Sequence, residues 1–187
     1  MIKPWKILSS ALTYRDQWLT IRSYRLKRPN DVVVEPFHII ESSEWVCICA
    51  LTDEGDVVAI HEYRVGADQV TLGLVGGIQE AEDEDALAAA HRELEEETGY
   101  RARQLIPVGR AYANWANQNN QISYFLALGA TQTGKQKLDV NEDIEPILMP
   151  YSQFLSYDFE GPKQTHHAAA LFFVERYFSI HPEKRPI

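Results

Sequence analysis

The chain has 187 residues, with 18 basic and 27 acidic side chains and a formal net charge of −9, so its overall charge does not favour binding to a nucleic-acid backbone. Its 45% hydrophobic and 24% charged residues are typical of a globular protein, and no apolar run reaches the roughly 18 residues that a membrane span requires. We therefore expect no nucleic-acid or membrane partner, and a cytoplasmic location, because residues 1–6 do not resemble a secretory signal.

The N-terminal part of the chain is predicted to form a β-rich lobe. Two runs rich in aromatic and β-branched residues, Trp5 to Tyr14 and Trp18 to Leu26, are separated by a short polar turn. Residues 28–31, Arg-Pro-Asn-Asp, have turn chemistry that closes the second run. The pattern predicts a β-hairpin lobe over residues 1–40 and a second domain over residues 41–187.

The centre of the chain is predicted to form three strands and a helix. Trp45 to Leu51 and Val57 to Tyr63 are apolar and β-branched on either side of a turn-forming stretch, and Val70 to Val75 is a further apolar run. From Asp83 to Thr98 the apolar pattern changes to the period of about 3.6 residues that indicates a helix. Gly99 is suited to end this helix, because glycine adopts the left-handed conformation at helix C-termini.

Beyond Gly99 the pattern predicts three more strands and a final helix capped by Thr165, over residues 104–113, 122–128, 144–149 and 165–179. Strands and helices in this order favour one mixed sheet covered by helices on both faces. We therefore expect an α/β fold, an α/β/α sandwich with a mixed β-sheet and an N-terminal β-hairpin lobe.

Three glutamates of the predicted helix project from one face. Glu93, Glu96 and Glu97 are spaced three and four residues apart, so they fall within an arc of roughly 100°. Like charges at this spacing repel unless a cation neutralises them, and carboxylate oxygens are ligands that Mg²⁺ prefers. The pattern indicates a metal site, with a solvated glutamate-rich helix face as the alternative.

The segment around these glutamates resembles a family motif. Residues 92–100, RELEEETGY, match every specified position of R-E-U-x-E-E-x-G-U, the C-terminal half of the Nudix box, in which U is apolar or aromatic. Glu84 lies eight residues before Arg92, as the motif requires, but six residues rather than five separate Gly77 from Glu84. We interpret this as one extra loop residue, since loops tolerate insertions. The resemblance implies a Nudix-type α/β/α sandwich.

Segments outside the box resemble the branch of the Nudix family that cleaves ADP-ribose and nucleotide sugars. Residues 57–80 are similar to a segment in which one strand ends in a Q-Y-R-like triplet and the next enters E-L-P-A-G. The triplet here is Glu62-Tyr63-Arg64, and Gly73 and Val75 stand where glutamate and proline are usual. Residues 114–117, Asn-Trp-Ala-Asn, occupy the region of a Ser-Pro-Gly-like signature.

The resemblance implies a metal-dependent hydrolase that splits the diphosphate bond of ADP-ribose or a related nucleotide sugar and releases a nucleoside monophosphate. It implies Mg²⁺, or alternatively Mn²⁺, bound by the carbonyl of Gly76 and by Glu93, Glu96 and Glu97, with Glu93 also a catalytic carboxylate. Arg64 is a candidate contact to the diphosphate, because a guanidinium binds phosphate oxygens in a bidentate manner. A surface ion pair is the alternative for Arg64.

An acidic loop late in the chain, residues 139–145, resembles a loop that in this branch closes over the diphosphate. In the resembling enzymes it supplies a glutamate to a metal or to the attacking water. Glu142 is the candidate here, with Asp139 and Glu145 as alternatives. A mobile loop ahead of a strand is suited to this role, since it can enter the cleft after substrate and metal arrive.

Several roles stay open at this stage. The nearest alternative substrates are dinucleotides, coenzymes and nucleoside triphosphates, and a Nudix module that binds nucleotide without hydrolysing it is the alternative of a different class. Trp18 and Trp115 either stack on a base or pack in the core, and we expect the core. We expect His166 and His167 to be structural or exposed. The resemblance of the N-terminal hairpin implies a homodimer in which the hairpin packs on or across the partner.

Overall fold

The computed structural model describes residues 1–158 and 163–186. Within these ranges the strands are β1 (Lys6–Arg15), β2 (Thr20–Lys27), β3 (Val33–Glu41), β4 (Trp45–Leu51), β5 (Asp56–Arg64), β6 (Gln69–Leu74), β7 (Tyr100–Tyr112), β8 (Gln121–Gln132) and β9 (Ile144–Pro150). The helices are α1 (Ala86–Thr98), α2 (Tyr151–Asp158) and α3 (Thr165–Ile180), followed by a short 3₁₀ helix (Pro182–Lys184).

Residues 1–44 and 112–121 form one compact unit. Its sheet is antiparallel in the order β1-β2-β3, and the loop 112–121 is joined to β3, where the Ile40 N–H donates to the Asn117 carbonyl at 2.8 Å. The expected hairpin is thus a three-stranded sheet. The sequence pattern missed β3 because Pro36 interrupts its apolar run, and proline, which lacks an N–H, is tolerated in an outer strand such as this one.

The second unit comprises residues 45–111 and the chain from residue 122 onward. Its six-stranded sheet has the order β6-β5-β4-β8-β7, and β9 also pairs with β5. The pair β4 and β8 is parallel, whereas β5 runs antiparallel to β4, β6 and β9. The sheet is therefore mixed, as the sequence predicted.

Helices cover both faces of this sheet at β4. On one face α1 packs against the alternating side chains of β4, and the shared core contains Val46, Ile48, Ala50, Ala89, Ala90 and Leu94. On the other face α3 contacts β4 and buries Leu171, Val174 and Phe178. Because β4 is covered twice, it is almost continuously apolar, and its free thiols, Cys47 and Cys49, are both buried. The α/β/α sandwich is confirmed.

The bounds of α1 follow from its capping residues. The Asp85 carboxylate accepts a hydrogen bond from the Ala88 N–H at 2.8 Å and caps the N-terminus. The first residue of α1 is therefore Ala86, not Asp83. At the other end Gly99 has a φ of 74° and its N–H donates to the Glu95 carbonyl at 2.8 Å. The predicted C-terminal cap is confirmed.

Other expectations about local structure were wrong. Helix α2 was not predicted, and Thr165 is the first residue of α3, not its cap. The capping position belongs to Gln164, whose side chain makes no capping bond. Trp18 and Trp115 do not pack in the core: their exposures are 72% and 83%, because both lie in connecting segments rather than on a buried sheet face. Among the described residues no helix is long and apolar enough to cross a membrane.

Candidate active site

The C-terminal half of α1 brings buried carboxylates to the end of a strand. Glu93 and Glu97 are 7% and 4% exposed, one turn apart, while Leu94 between them is fully buried in the core. The Glu97 carboxylate accepts a hydrogen bond from the Gly76 N–H at 3.2 Å. Two of the predicted metal ligands on α1 therefore lie next to the glycine turn that follows β6.

The two glycines of this turn permit a close approach. A Cβ at Gly77 would overlap the Glu93 carboxylate, and a Cβ at Gly76 would overlap the Val46 carbonyl of β4. The turn is also tied to β4, because the Val46 N–H donates to the Gly77 carbonyl at 2.9 Å. A side chain at Gly76 would displace the backbone of β4, and a side chain at Gly77 would push the Glu93 carboxylate out of its position.

Arg92 links the loop before α1 to the carboxylates on the helix. Its guanidinium pairs with Asp83 at 3.0 Å and donates to the Ile78 carbonyl at 2.8 Å. It also lies 3.0 Å from carboxylate oxygens of both Glu93 and Glu96. These contacts suit Arg92 to orient the box carboxylates, and they show that Glu96 is directed towards Arg92.

Burial makes these carboxylates hold their protons. Burial and, after it, the charge of Glu93 raise the pKa of Glu97 from 4.5 to about 9. Burial also raises the pKa of Glu93 to about 7, against the opposing effect of the Arg92 guanidinium. The charge of Glu142 raises the pKa of both groups. Two buried like charges are costly unless they are protonated or a cation lies between them.

Three loop carboxylates were considered from the sequence, and Glu142 is the one whose charge raises the pKa of Glu93 and Glu97. The loop is held as a turn, in which the Asp139 N–H donates to the Glu142 carboxylate at 2.9 Å and the Glu142 N–H donates to the Asp139 carbonyl at 3.0 Å. Asp139 and Glu145 are exposed, whereas Glu142 is half-buried.

Glu62 is a further carboxylate here, and sequence reasoning did not select it. Burial raises its pKa, which the Arg64 guanidinium lowers and the Glu142 charge raises. Its position follows from sheet pairing, since Glu62 on β5 is opposite Ile144 at the start of β9, two residues after Glu142. The one available signal was its place in the Glu62-Tyr63-Arg64 triplet.

The Arg64 side chain contacts the acidic cluster and also lines a cavity. Its guanidinium pairs with Glu62 at 2.7 Å, yet half of its side chain is exposed. It lines a cavity of about 280 Å³ together with Gly76 and Gly77. The Arg64 side chain is thus both an ion-pair partner and a wall of the space beside the glycine turn.

The donor set suits a hard divalent cation. Glu93, Glu96, Glu97 and Glu142 supply oxygen ligands, and the charges of Glu93 and Glu97 oppose each other in a buried setting that a cation would relieve. In the part of the chain that the structure describes, no three His, Cys, Asp or Glu side chains are already grouped as a metal site. Glu96 is directed towards Arg92 and Glu142 towards its own turn, so both would have to turn inward.

Comparisons with known proteins agree with this arrangement. The NUDIX domain model matches residues 44–171. ADP-ribose pyrophosphatase of Bacillus subtilis (strain 168) is 30% identical over 109 residues, a match that covers 57% of this chain and 58% of that protein, less than two thirds of its length. A crystal structure of ADP compounds hydrolase superposes with a TM-score of 0.86 at 22% identity over 97% of both chains, which shows a shared fold.

Proposed function

The chain belongs to the NUDIX family, and on that premise we propose that it is a metal-dependent hydrolase of a nucleoside diphosphate linked to another group. The observation that supports this most directly is the pair of buried, mutually repelling carboxylates, Glu93 and Glu97, against the glycine turn at Gly76 and Gly77. ADP-ribose or a related nucleotide sugar is the proposed substrate, in keeping with the relative named ADP-ribose pyrophosphatase.

The proposed metal ion is Mg²⁺, with Mn²⁺ as the alternative. Glu93, Glu96, Glu97 and the Gly76 carbonyl would hold it, and Glu142 would join them once its loop turns inward. When bound, such an ion supplies positive charge against the diphosphate oxygens and acidifies water. The acidic chain can then process an acidic substrate.

The chain's own residues bind the diphosphate and accept the proton in the proposed reaction. Arg64 would leave its pairing with Glu62 and donate two parallel hydrogen bonds to diphosphate oxygens. Water attacks one phosphorus, the bond from that phosphorus to the bridging oxygen breaks, and the water proton passes to the carboxylate of Glu142. Glu93, with a pKa near 7, is the second carboxylate proposed to take part in catalysis.

A substrate panel tests this function. The purified chain is incubated with Mg²⁺ and ADP-ribose, nucleotide sugars, dinucleotides, coenzymes or nucleoside triphosphates, and released nucleoside monophosphate is measured, with EDTA as the metal control. We expect release from ADP-ribose or a nucleotide sugar. Faster release from another member of the panel would reassign the substrate. Binding without release from any compound would favour a regulatory nucleotide-binding module instead.

We also propose a homodimer formed through the first unit. Every residue of β1 is exposed, although this strand carries large apolar side chains such as Ile7, Leu12 and Tyr14. Exposed apolar strands at a sheet edge favour pairing with another chain. Light scattering of Leu12→Lys should give a smaller mass than Ser10→Lys, an exposed control on the same strand. Equal masses for both variants and the parent chain would contradict this interface.

A cytoplasmic location is proposed alongside this function. Both cysteines, Cys47 and Cys49, are free thiols buried in the core. Buried unpaired thiols suit a reducing compartment, where disulfides are rare. Fractionation of cells that produce the full chain tests this location, and recovery of the protein outside the cytoplasm would contradict it.

A further inference from the structure

Two neighbouring cavities share a wall formed by Arg64, Gln164 and His167. The smaller cavity, about 280 Å³, reaches the glycine turn at Gly76 and Gly77, and the Gly76 carbonyl is one of the proposed metal ligands. The larger cavity, about 600 Å³, lies on the other side of that wall. A substrate whose diphosphate lies at the glycines can extend past Arg64 into the larger cavity.

Among the described residues, the charged side chains that line the larger cavity are both cationic, in a chain whose formal net charge is −9. Arg64 and Lys163 line it, and no aspartate or glutamate among the described residues does. Arg64 shares its charge with Glu62, at 2.7 Å. Lys163 instead lies over the ring of Tyr157, 4.0 Å from the ring centroid. Lys163 therefore offers more of its charge to a ligand than Arg64 does.

His167 adds a hydrogen-bonding ring to this shared wall. Its imidazole lies beside Gly73, where a Cβ would overlap the ring. Burial, together with the charges of His166, Arg64 and Lys163, lowers the pKa of His167 to about 4. The ring is therefore neutral near pH 7 and keeps one N–H donor, which a ligand oxygen in either cavity can accept.

We propose that the larger cavity binds a further phosphate monoester, carried by the substrate on a sugar outside the diphosphate that is cleaved. Lys163 supplies the main attractive charge and His167 donates a hydrogen bond, while Arg64 lies between this phosphate and the diphosphate. The inference rests on the proposed function and makes it more specific. It predicts that a nucleoside diphosphate derivative phosphorylated on one sugar is preferred over the same compound without that phosphate.

The test compares kcat/KM for three compounds in the presence of Mg²⁺. They are ADP-ribose, its derivative with a phosphate on the adenosine ribose, and its derivative with a phosphate on the terminal ribose. We expect one phosphorylated derivative to exceed ADP-ribose by about 10-fold or more, since a hydrogen bond to a charged group contributes on that order. Lys163→Gln should lower this ratio about 10-fold, whereas Lys163→Arg should retain most of it.

Lys184→Gln is the matched control, because Lys184 lines a separate cavity with Gly55 and Arg103. This variant should keep the parent ratio. Equal kcat/KM for the three compounds, or a preference that Lys163→Gln leaves intact, would overturn the phosphate subsite. If none of the three compounds is hydrolysed, ADP-ribose is not the substrate, and the substrate panel described above decides the proposed hydrolase function separately. In that case the Kd values of the three compounds are measured by calorimetry on the parent chain and on Lys163→Gln. The ratio of Kd between ADP-ribose and each phosphorylated derivative then tests the subsite without any hydrolysis.

Discussion

The carboxylate cluster on α1 and the cationic cavity beyond Arg64 handle charge in opposite ways. In the cluster, Glu93 and Glu97 are buried together and burial raises the pKa of both. In the cavity, Lys163 is held over an aromatic ring and burial keeps His167 neutral. Arg64 pairs with a carboxylate at 2.7 Å and also lines the cavity. The difference teaches that one acidic chain can place buried carboxylates, which favour a cation, close to a cavity lined by lysine and arginine, which favours an anion.

The largest effect that this contrast between the carboxylate cluster and the cavity predicts is the loss of activity on substitution of Glu97. Glu97→Gln replaces a charged ligand with a neutral amide of equal size, so we expect kcat to fall by about two orders of magnitude or more while the fold is retained. The measurement is nucleoside monophosphate release at limiting Mg²⁺, with circular dichroism to check folding. Glu96→Gln should also lower kcat strongly.

Glu95 provides the matched control on the same helix. Its carboxylate pairs with Arg101 at 2.8 Å on the side of α1 away from the cluster. Glu95→Gln should retain nearly the parent kcat. If Glu95→Gln and Glu97→Gln had the same activity, the box carboxylates would not form the proposed metal site.

The next largest loss of kcat is expected for Glu142, a carboxylate that lies near the cluster but belongs to the loop before β9. If its carboxylate accepts the proton of the attacking water, Glu142→Gln should lower kcat about 100-fold and change substrate Kd much less, both measured with metal present. Asp139→Gln and Glu145→Gln are the comparisons, since both side chains are exposed. An unchanged kcat for Glu142→Gln would move the role to one of these neighbours, and a weakened Kd alone would make Glu142 a binding residue.

Substitution of Arg64 tests whether one substrate contacts both the carboxylate cluster and the cavity. Arg64→Gln should raise KM by about 10- to 100-fold, because it removes charged hydrogen bonds to the diphosphate. Arg64→Lys should recover only part of this loss, since an ammonium cannot form two parallel bonds. Glu62→Gln removes the ion-pair partner at 2.7 Å and leaves the guanidinium. If Glu62→Gln raised KM as much as Arg64→Gln does, the ion pair itself would be the important element.

The smallest predicted effect is on stability. The folded-state pKa of Glu97, about 9, lies above its ordinary value of 4.5, so its contribution to stability is fully present below about pH 4.5 and is lost as the pH rises towards 9. In EDTA the Tm should therefore fall between pH 7 and 8.5, by about 2–4 °C for each kcal/mol lost. His166 and His167 add nothing in this range, because burial lowers the pKa of each below 6.5.

Thermal unfolding of the parent chain and Glu97→Gln at pH 7, 7.5, 8 and 8.5 is the measurement. We expect a flatter profile for the variant, and added Mg²⁺ should raise the Tm of the parent chain most at the highest pH. Profiles of equal slope for the two proteins would mean that Glu97 is not the buried acid responsible.

The sequence by itself determined what depends on near neighbours in the chain. Residues three and four apart on a helix share a face, so the placement of Glu93, Glu96 and Glu97 on one face of α1 followed from their numbering. The strand bounds of β4 and the cap at Gly99 likewise followed from local apolar pattern and backbone preference.

Only the tertiary structure decided what depends on pairing and packing between distant segments. Glu62 joins Glu142 because β5 and β9 pair in a register that places Glu62 opposite Ile144. His167 reaches the wall beside Arg64 because Gly73 has no side chain to exclude it. Strand order, register and free volume are set by the whole packed chain, and no local period of the sequence encodes them.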